Sequence, residues 1–274
     1  MIKYQQFIED NLTIINKNLE EVPFKLNKIQ ASYAKEMSSK DIILKARQEG
    51  FSTYILATFF ADFILRENSS SVVVADKQTN AIALLDRVKY YIKAYELKTG
   101  TKVPLKYNSK YQLVNAYNQA TYTIGTAQEV NFGRSRTISN LHLSEGAYYP
   151  DLRKMLAGAA QAVVPDGRIV IETTANGFND FKNLWDESVL RHTGYKALFY
   201  KASMFYTKEY LHQKKRELGE SLFMQEYPET PEEAFITSGD TFFDKQAMRW
   251  YLEHTRLPMA LNNAILVDDS GAEI

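Results

Sequence analysis

The chain has 274 residues, 45% of them hydrophobic and 24% charged, which is ordinary for a globular protein with a sizeable core. Lys+Arg and Asp+Glu are equal at 33 each, so the total charge gives no support for nucleic-acid binding. The absence of cysteine excludes disulfides and cysteine-ligated zinc. The charged N-terminus is unlike a signal peptide, and no apolar run approaches the ~20 residues that span a bilayer, so we expect an intracellular protein.

Strand-like and helix-like segments alternate along the chain. Apolar positions at helical spacing predict a first helix over residues 1–20. The later segments are, in chain order, a strand at 41–44, a helix at 52–65, a strand at 71–75, a helix at 80–95, a hairpin of 112–116 with 121–125, and strands at 140–143, 168–171 and 196–200. This alternation predicts an α/β fold with a mainly parallel sheet and helices on both faces.

The C-terminal third of the sequence differs in character. A charged helical pattern covers residues 208–222, and no strong period follows from Gly239 onward. We therefore expect an α/β core at 1–205, a small helical subdomain at 206–250 and a linker at 251–274.

A degenerate phosphate loop lies between the first predicted strand and the helix at 52–65. In the pattern G-x-x-x-x-G-K-[ST], backbone N–H groups at a helix N-terminus bind phosphates and the hydroxyl binds Mg²⁺. Gly50 and Ser52 fit this pattern, but Lys45 replaces the first glycine and Phe51 replaces the lysine. Lys45 could supply the missing cation from the other side of the loop. The alternative is an ordinary strand-to-helix turn with surface charges.

Two further strand ends carry polar side chains. After the strand at 140–143 come Ser144 and Glu145, where P-loop ATPases place a Mg²⁺-organising Asp and often a Glu that orients the attacking water. Glu145 fits the Glu, whereas Ser144 replaces the Asp. The strand at 168–171 continues into Glu172-Thr-Thr-Ala-Asn-Gly177, whose hydroxyl groups could sense a γ-phosphate. Polar turns are the alternative in both places.

In this order, the segments resemble the terminase large subunits of tailed phages, which are DNA-packaging motors. The resemblance covers nearly the whole chain. Residues 24–30 are similar to the family's adenine-contacting Q motif, and residues 45–53 to its deviant Walker A loop. Residues 140–147 are similar to its Walker B segment, and residues 172–177 to its coupling motif. Residues 223–235 are the most family-specific stretch.

The resemblance implies a P-loop NTPase of the additional-strand, catalytic-glutamate type that hydrolyses Mg²⁺-ATP to move double-stranded DNA into a procapsid. The implied partners are that DNA, the portal protein, the small terminase subunit and further copies of the chain in a ring, in the host cytoplasm. Full-length members continue into a nuclease domain. We therefore expect 251–274 to lead toward such a domain and the chain itself to lack nuclease activity.

The resemblance also implies roles for individual residues. The catalytic residues would be Glu145, Lys45, Arg47 and, reaching a neighbouring subunit, Arg134, with Arg136 as its alternate. The nucleotide would be bound by Gln30, Lys45, Ala46, Arg47, Gln48, Glu49, Gly50, Phe51, Ser52 and Thr53. The Mg²⁺ ligands would be Ser52 and Ser144, and the coupling residues Thr173, Thr174 and Ala175.

Residues 87–110 form a local basic segment with seven lysines and arginines and four interleaved tyrosines, Tyr90, Tyr91, Tyr95 and Tyr107. Such a segment could track DNA phosphates without reading sequence, but a solvated helix and loop explain it equally well. For the whole chain two alternatives stay open. One is a helicase-like ATPase stimulated by nucleic acid, and the other is a non-catalytic nucleotide-binding or assembly module.

Overall fold

The computed structural model describes residues 4–129 and 137–237 together with the single positions 247, 250, 251 and 254. The chain divides into two compact units, Met1–Asp240 and Thr241–Ile274. In the second unit the four described positions are helical, and the Trp250 ring stacks on His254 with ring centres 4.3 Å apart. No helix in the described ranges has the length and apolar character needed to cross a bilayer.

Ten strands and eight α-helices make up the described part of the first unit. The strands are β1 Thr13–Ile15, β2 Glu21–Pro23, β3 Lys40–Lys45, β4 Ser70–Ala75, β5 Leu105–Asn108, β6 Gln112–Asn115, β7 Thr121–Thr126, β8 Ile138–Ser144, β9 Val163–Thr173 and β10 Lys196–Tyr200. The helices are α1 Tyr4–Asn11, α2 Lys28–Glu36, α3 Phe51–Leu65, α4 Gln78–Thr99, α5 Leu152–Ala159, α6 Asp180–Val189, α7 Lys208–Glu226 and α8 Pro231–Thr237.

Eight of these strands form one sheet in the order β10-β3-β9-β8-β4-β7-β6-β5. The six strands from β10 to β7 are parallel, and β6 and β5 add to the edge as antiparallel strands. β9 lies between β3, which leads into the predicted phosphate loop, and β8, which leads to Glu145. The sheet therefore has the additional strand that the predicted fold class requires, and the α/β P-loop prediction is confirmed.

Both faces of the sheet are buried, because successive apolar residues of a strand point to opposite faces. On β3, Ile43 belongs to the core under α1–α4, whereas Ile42 and Leu44 belong to the core under α5, α6 and α8. On β9, Val170 and Ile171 divide between the same two cores. Burial on both faces is typical of parallel strands and explains why β3 reads as a continuous apolar run. The parallel strands consequently present their carboxyl ends together at one edge.

The predicted helix over 1–20 is wrong beyond Asn11, because the chain turns there into the β1–β2 hairpin. β-branched residues in Thr13–Ile15 favour the extended conformation. The Asn16 side-chain oxygen accepts bonds from the N–H groups of Asn18 and Glu20 at 2.9 Å each, which fixes the turn. Local turn chemistry therefore outweighs the apolar spacing.

The other predicted elements are present with shifted ends, and the 112–125 hairpin forms as β6 and β7. α4 continues beyond the predicted residue 95 to Thr99, where Gly100 ends it in the left-handed conformation. α7 extends to Glu226 and is interrupted at Gly219, with φ 73° and ψ 169°. α7 and α8 lie within the first compact unit. The domain boundaries at 205/206 and 250/251 stay predictions.

The β8–β9 pairing is irregular near its start, where the register shifts between Ile138 and Asn140. A Cβ added to Gly167 would lie 2.7 Å from the Ser139 carbonyl oxygen and 2.9 Å from that of Val164. Both are backbone atoms and cannot rotate away.

We expect Gly167→Ala to lower the free energy of unfolding by about 1–3 kcal/mol, since the added methyl overpacks the start of the strand pair. Gly194→Ala is the matched control, because its methyl would meet the Lys40 side chain at an ordinary 3.9 Å. Urea denaturation of both variants measures the difference. Equal stabilities would show that the β8–β9 irregularity has no steric need for glycine.

Candidate active site

The carboxyl ends of β3 and β8 open into a cleft of about 1190 Å³ in the first unit. Its lining includes residues 45 and 47–53 of the predicted phosphate loop together with Gln30, Glu145 and Thr174. Small-molecule sites usually occupy about 300–1,000 Å³, so a nucleotide fits this space. Loop and strand ends that are far apart in sequence thus meet in one place, as parallel topology requires.

The turn from β3 into α3 needs left-handed backbone at Gln48, with φ 57°, and at Gly50, with φ 84°. At Gly50 a Cβ would also meet the Gln30 amide nitrogen at 2.8 Å, so glycine serves both geometry and close approach. The turn aims the N-terminus of a 15-residue helix at the cleft, where the first-turn N–H groups have no intrahelical partners. The local structure is that of a phosphate-binding loop.

Gln30 supports this loop from below. Its amide nitrogen donates to the Gly50 carbonyl at 2.8 Å, and its amide oxygen accepts from the Asn27 N–H at 3.0 Å within a capping box of α2. Gln30 is 4% exposed but borders the cleft. The predicted adenine contact of Gln30 stays a prediction, to which the structure adds a role in holding Gly50.

Lys45 ends β3 and is buried at the floor of the cleft. Its ammonium lies 3.5 Å from Glu145 Oε1 and 3.3 Å from Glu172 Oε2. Burial lowers the pKa of Lys45, but the attraction of Glu145 and Glu172 outweighs it and raises the pKa above its ordinary value. A permanent cation therefore stands where the loop pattern has a glycine.

Glu172 is the last residue but one of β9 and is fully buried. Several polar side chains of the site contact its carboxylate. Its Oε1 accepts hydrogen bonds from the hydroxyl groups of Ser52 and Ser144, both at 2.8 Å, and lies 3.2 Å from His142 Nε2. Burial alone would raise the pKa of Glu172. Lys45, His142 and the Ser52 hydroxyl outweigh burial and hold this pKa well below its usual range.

The sequence predictions missed Glu172 and His142 as site residues. They did include Ser52 and Ser144, and the structure brings both onto one oxygen of Glu172. The missing information is the strand register, in which Ser144 and Glu172 are direct neighbours across β8 and β9. Sequence order places these residues 28 positions apart and gives no sign of the pairing.

Glu145 follows β8 in the left-handed conformation, with φ 57° and ψ 46°. Its side chain is 35% exposed and faces the cleft. Partial burial raises the pKa of Glu145, Lys45 lowers it and the negative Glu172 raises it, with a net upward shift. A carboxylate with a raised pKa is a stronger base, which suits a group that orients or deprotonates water.

The predicted coupling residues contact this glutamate directly. Glu145 Oε2 lies 3.3 Å from the Thr173 hydroxyl and 3.4 Å from the Thr174 N–H. The Thr173 hydroxyl also lies 2.6 Å from the Thr174 carbonyl oxygen, so its single proton serves one acceptor at a time. The Thr174 hydroxyl meets that of Tyr148 at 3.3 Å, and Ala175 is buried. A movement of Glu145 would therefore change the hydrogen bonds of this segment.

Phe51, at the position of the usual lysine, points into the core. Its ring packs on Tyr200 with centres 4.8 Å apart and on Tyr33 at 5.6 Å. Phe51 can thus meet a nucleotide through its backbone N–H, while its side chain anchors the first turn of α3. The neighbouring Thr53 is fixed through its carbonyl oxygen, which accepts from the Tyr91 hydroxyl at 3.0 Å.

Arg47 joins the loop to the end of α7. Its guanidinium pairs with Glu226 at 3.1 Å, its N–H donates to the Glu226 carbonyl at 2.9 Å, and its own carbonyl accepts from Tyr206 at 2.6 Å. The Ala46 N–H likewise donates to the Tyr200 carbonyl at 3.3 Å. The nucleotide contacts of Ala46 and Arg47, and the catalytic role of Arg47, stay predictions.

Two other predicted features give different outcomes. Arg134 and Arg136 lie outside the described residues.

In the basic segment, Tyr91 is buried and Tyr95 stacks on Phe7 with ring centres 5.9 Å apart, so these tyrosines belong to the core rather than to a nucleic-acid surface. Tyr107 is 57% exposed. DNA contact by the lysines of this segment stays a prediction.

The residues at the cleft floor suit Mg²⁺ that arrives with phosphates. Within residues 4–129 and 137–237, no three His, Asp or Glu side chains are arranged to hold a metal ion by themselves. Mg²⁺ commonly takes one or two protein oxygens and completes its shell with phosphate and water. Ser52 supplies a hydroxyl, and the buried Glu172 Oε2 is paired with the Lys45 ammonium at 3.3 Å.

No protein-family model matches the chain. Among solved structures, the large terminase ATPase domain of Thermus phage P74-26 superposes with a TM-score of 0.60 at 15% identity, covering 74% of this chain and 93% of that one. The HK97 bacteriophage large terminase gives a TM-score of 0.61 at 15% identity, with 90% of this chain and 51% of that one covered. The chain has the fold of a large terminase ATPase domain.

The large terminase of a thermophilic bacteriophage, solved in complex with ADP, also has this terminase ATPase fold, with a TM-score of 0.56 at 12% identity. That match covers 73% of this chain and 52% of the ADP-bound terminase. The chain thus spans about half the length of the HK97 terminase and of the ADP-bound one. At these identities the likeness concerns the fold, and the chemistry has to be argued from this chain's own residues.

Glu49, in the loop of this terminase-type fold, is 1% exposed, and its two carboxylate oxygens have no hydrogen-bond partner among the described side chains and backbone groups. Burial raises the pKa of Glu49 to about 9, although the nearby Lys45 ammonium lowers it. Between the ordinary value of 4.5 and about 9, the folded chain holds a proton that the unfolded chain has released. The contribution of Glu49 to stability therefore falls as pH rises through this window.

We expect Glu49→Gln, which imitates the protonated acid, to flatten the decline of unfolding free energy between about pH 5.5 and pH 8. The slope removed is at most about 1.4 kcal/mol per pH unit. Urea denaturation at several pH values measures it, with Glu67→Gln at an exposed site after α3 as the carboxylate-removal control. An unchanged slope in Glu49→Gln would mean that Glu49 is ionised in the folded chain.

Proposed function

We propose that the chain is the ATPase motor domain of a viral terminase large subunit, which hydrolyses Mg²⁺-ATP to drive double-stranded DNA into a procapsid. The observation that carries the proposal is the grouping of Lys45, Glu145 and Ser52 around one cleft at the end of a phosphate-binding loop. Its occurrence in a terminase ATPase fold supports the choice of motor over other P-loop enzymes.

Each group at the cleft has a distinct task in this proposal. The N-terminus of α3 and the Lys45 ammonium bind the phosphates, where they balance negative charge as the γ-phosphoryl leaves. Glu145 orients the attacking water and accepts its proton. Ser52 would hold Mg²⁺, which would supply further positive charge to balance the phosphates.

The contact between Glu145 and the segment of Thr173 and Thr174 supports a coupling role for that segment. ATP hydrolysis changes the charge opposite Glu145. Because Glu145 shares its Oε2 with both threonines, a change in its position alters their hydrogen bonds. α6 follows this segment directly, so the change can pass to a helix of the opposite sheet face.

The motor role implies partners beyond the nucleotide. These are double-stranded DNA, a portal protein, a small terminase subunit and neighbouring copies in a ring, in the cytoplasm of the infected host. Arg134 would act on the nucleotide of a neighbouring copy. The exposed lysines of α4, of β5 and of the loops on either side of β5 offer sequence-independent contacts to DNA phosphates; they are Lys93, Lys98, Lys102, Lys106 and Lys110.

We expect the chain to hydrolyse ATP and linear double-stranded DNA to stimulate the rate, as measured by steady-state phosphate release. We further expect Glu145→Gln to lower kcat by about 10²-fold or more, the contribution of a positioned general base, while ATP affinity changes only a few-fold. Glu67→Gln serves as the control for loss of a remote carboxylate.

Two outcomes would contradict the proposal. Absence of ATP binding by the folded chain would exclude the ATPase assignment. Hydrolysis that single-stranded DNA stimulates more than duplex DNA, together with strand displacement, would favour the helicase-like alternative.

A further inference from the structure

We propose that Glu172 on β9 is the carboxylate that organises Mg²⁺ in this site, in place of the aspartate that Ser144 replaces on β8. The inference rests on the proposed Mg²⁺-ATP function. Because Glu172 is fully buried next to Ser52, its carboxylate acts on the ion through the Ser52 hydroxyl. Glu172 is thus a positioning residue rather than a catalytic one.

The strand register supports this substitution. Ser144 and Glu172 are direct Cα partners in the parallel pair of β8 and β9, so their side chains leave the same face of the sheet. Neighbouring strands lie about 4.8 Å apart, a shift that the longer glutamate side chain can partly offset. The small Ser144 leaves room for the carboxylate and donates to it at 2.8 Å. The site therefore keeps one carboxylate at the carboxyl ends of the strands, but this carboxylate comes from β9 instead of the neighbouring strand β8.

The hydrogen bond from Ser52 supplies the second argument. A serine hydroxyl has one proton and two lone pairs, so donating the proton to a carboxylate leaves the lone pairs for a cation. Ser52 donates to Glu172 Oε1 at 2.8 Å. In P-loop NTPases the loop hydroxyl and an acidic residue at a strand end hold Mg²⁺ together. Glu172 is an acidic residue near a strand end and contacts the loop hydroxyl of Ser52, whereas Ser144 is not acidic.

Charge balance supplies the third argument. Glu172 is fully buried, and Lys45 is shared between it and Glu145. If the Lys45 ammonium turns toward a phosphate, Glu172 loses its cation at a position where an unpaired charge is costly. Mg²⁺ entering with the nucleotide would restore the positive charge. If Glu172 takes the place of the aspartate, Ser144 is a hydrogen-bond donor that orients Glu172, instead of the Mg²⁺ ligand that the sequence predicts.

The test is the Mg²⁺ dependence of ADP binding, measured by titration calorimetry with either Mg²⁺ or EDTA present. For Glu172→Gln we expect the affinity gain from Mg²⁺ to fall by about 10–100-fold, the usual effect of removing a group that orients a metal ligand. ADP affinity in EDTA should change much less. Ser144→Ala is the matched control and should keep most of the gain, because it removes a donor and leaves the carboxylate.

The double variant Ser144→Asp/Glu172→Gln returns the carboxylate to β8 with the same total charge. We expect it to recover a large part of the Mg²⁺-dependent gain. Thermal melts of each variant check that it is folded. If Glu172→Gln does not fold, Mn²⁺ located by anomalous scattering in crystals of the unmodified chain with ADP gives an independent answer. We then expect the ion beside Ser52, with Lys45 moved away from Glu172.

An unchanged Mg²⁺ gain in folded Glu172→Gln would overturn the inference, as would its loss in Ser144→Ala alone. Equal weakening of ADP binding with Mg²⁺ and with EDTA would also overturn it, since Glu172 would then merely position Lys45. If the double variant folds but does not recover the Mg²⁺-dependent gain in ADP affinity, Glu172 on β9 does not take the place of an aspartate on β8. Failure of the proposed function looks different, because the unmodified chain would then bind no ADP under either condition.

Discussion

The site depends on one buried ammonium group held between carboxylates from two other strands. Lys45 comes from β3, Glu172 from β9 and Glu145 from the end of β8, so the three meet only because β9 lies between β3 and β8. Burying such charges costs free energy, which attraction and hydrogen bonds must offset. Ser52, Ser144 and His142 provide these bonds at Glu172. The strand order is therefore a functional constraint as well as a topological one.

Two paths lead outward from this cluster. One runs from Glu145 through Thr173 and Thr174 toward α6. The other runs from the phosphate loop through Arg47 to Glu226 at the end of α7. A nucleotide that draws Lys45 away from its carboxylates would disturb the first path directly, and one that reshapes the loop would disturb the second. The proposed motor function requires such links between the site and neighbouring helices.

The sequence predicts much of this arrangement, because local patterns determine it. The apolar run of β3, the glycine at position 50 and the acidic end of β8 identify the sheet edge and the cleft. The role of Glu172 depends on cross-strand register, which no local pattern records. The first helix is too long in the prediction because Asn16 fixes a turn that apolar spacing does not reveal. Tyr91 and Tyr95 likewise have a polar, basic sequence context, yet Tyr91 lies in the core and Tyr95 packs against it.

The most direct test of this account is a double-mutant cycle on Lys45 and Glu172 without nucleotide. Unfolding free energies of the unmodified chain, Lys45→Met, Glu172→Gln and the double variant give the coupling free energy between the two side chains. A buried pair on which the site depends predicts a favourable coupling of about 1–3 kcal/mol, so that the losses of the two single variants sum to more than the loss of the double variant. A coupling within about 0.5 kcal/mol of zero would contradict the account, because the ammonium and the carboxylate would then be independent groups.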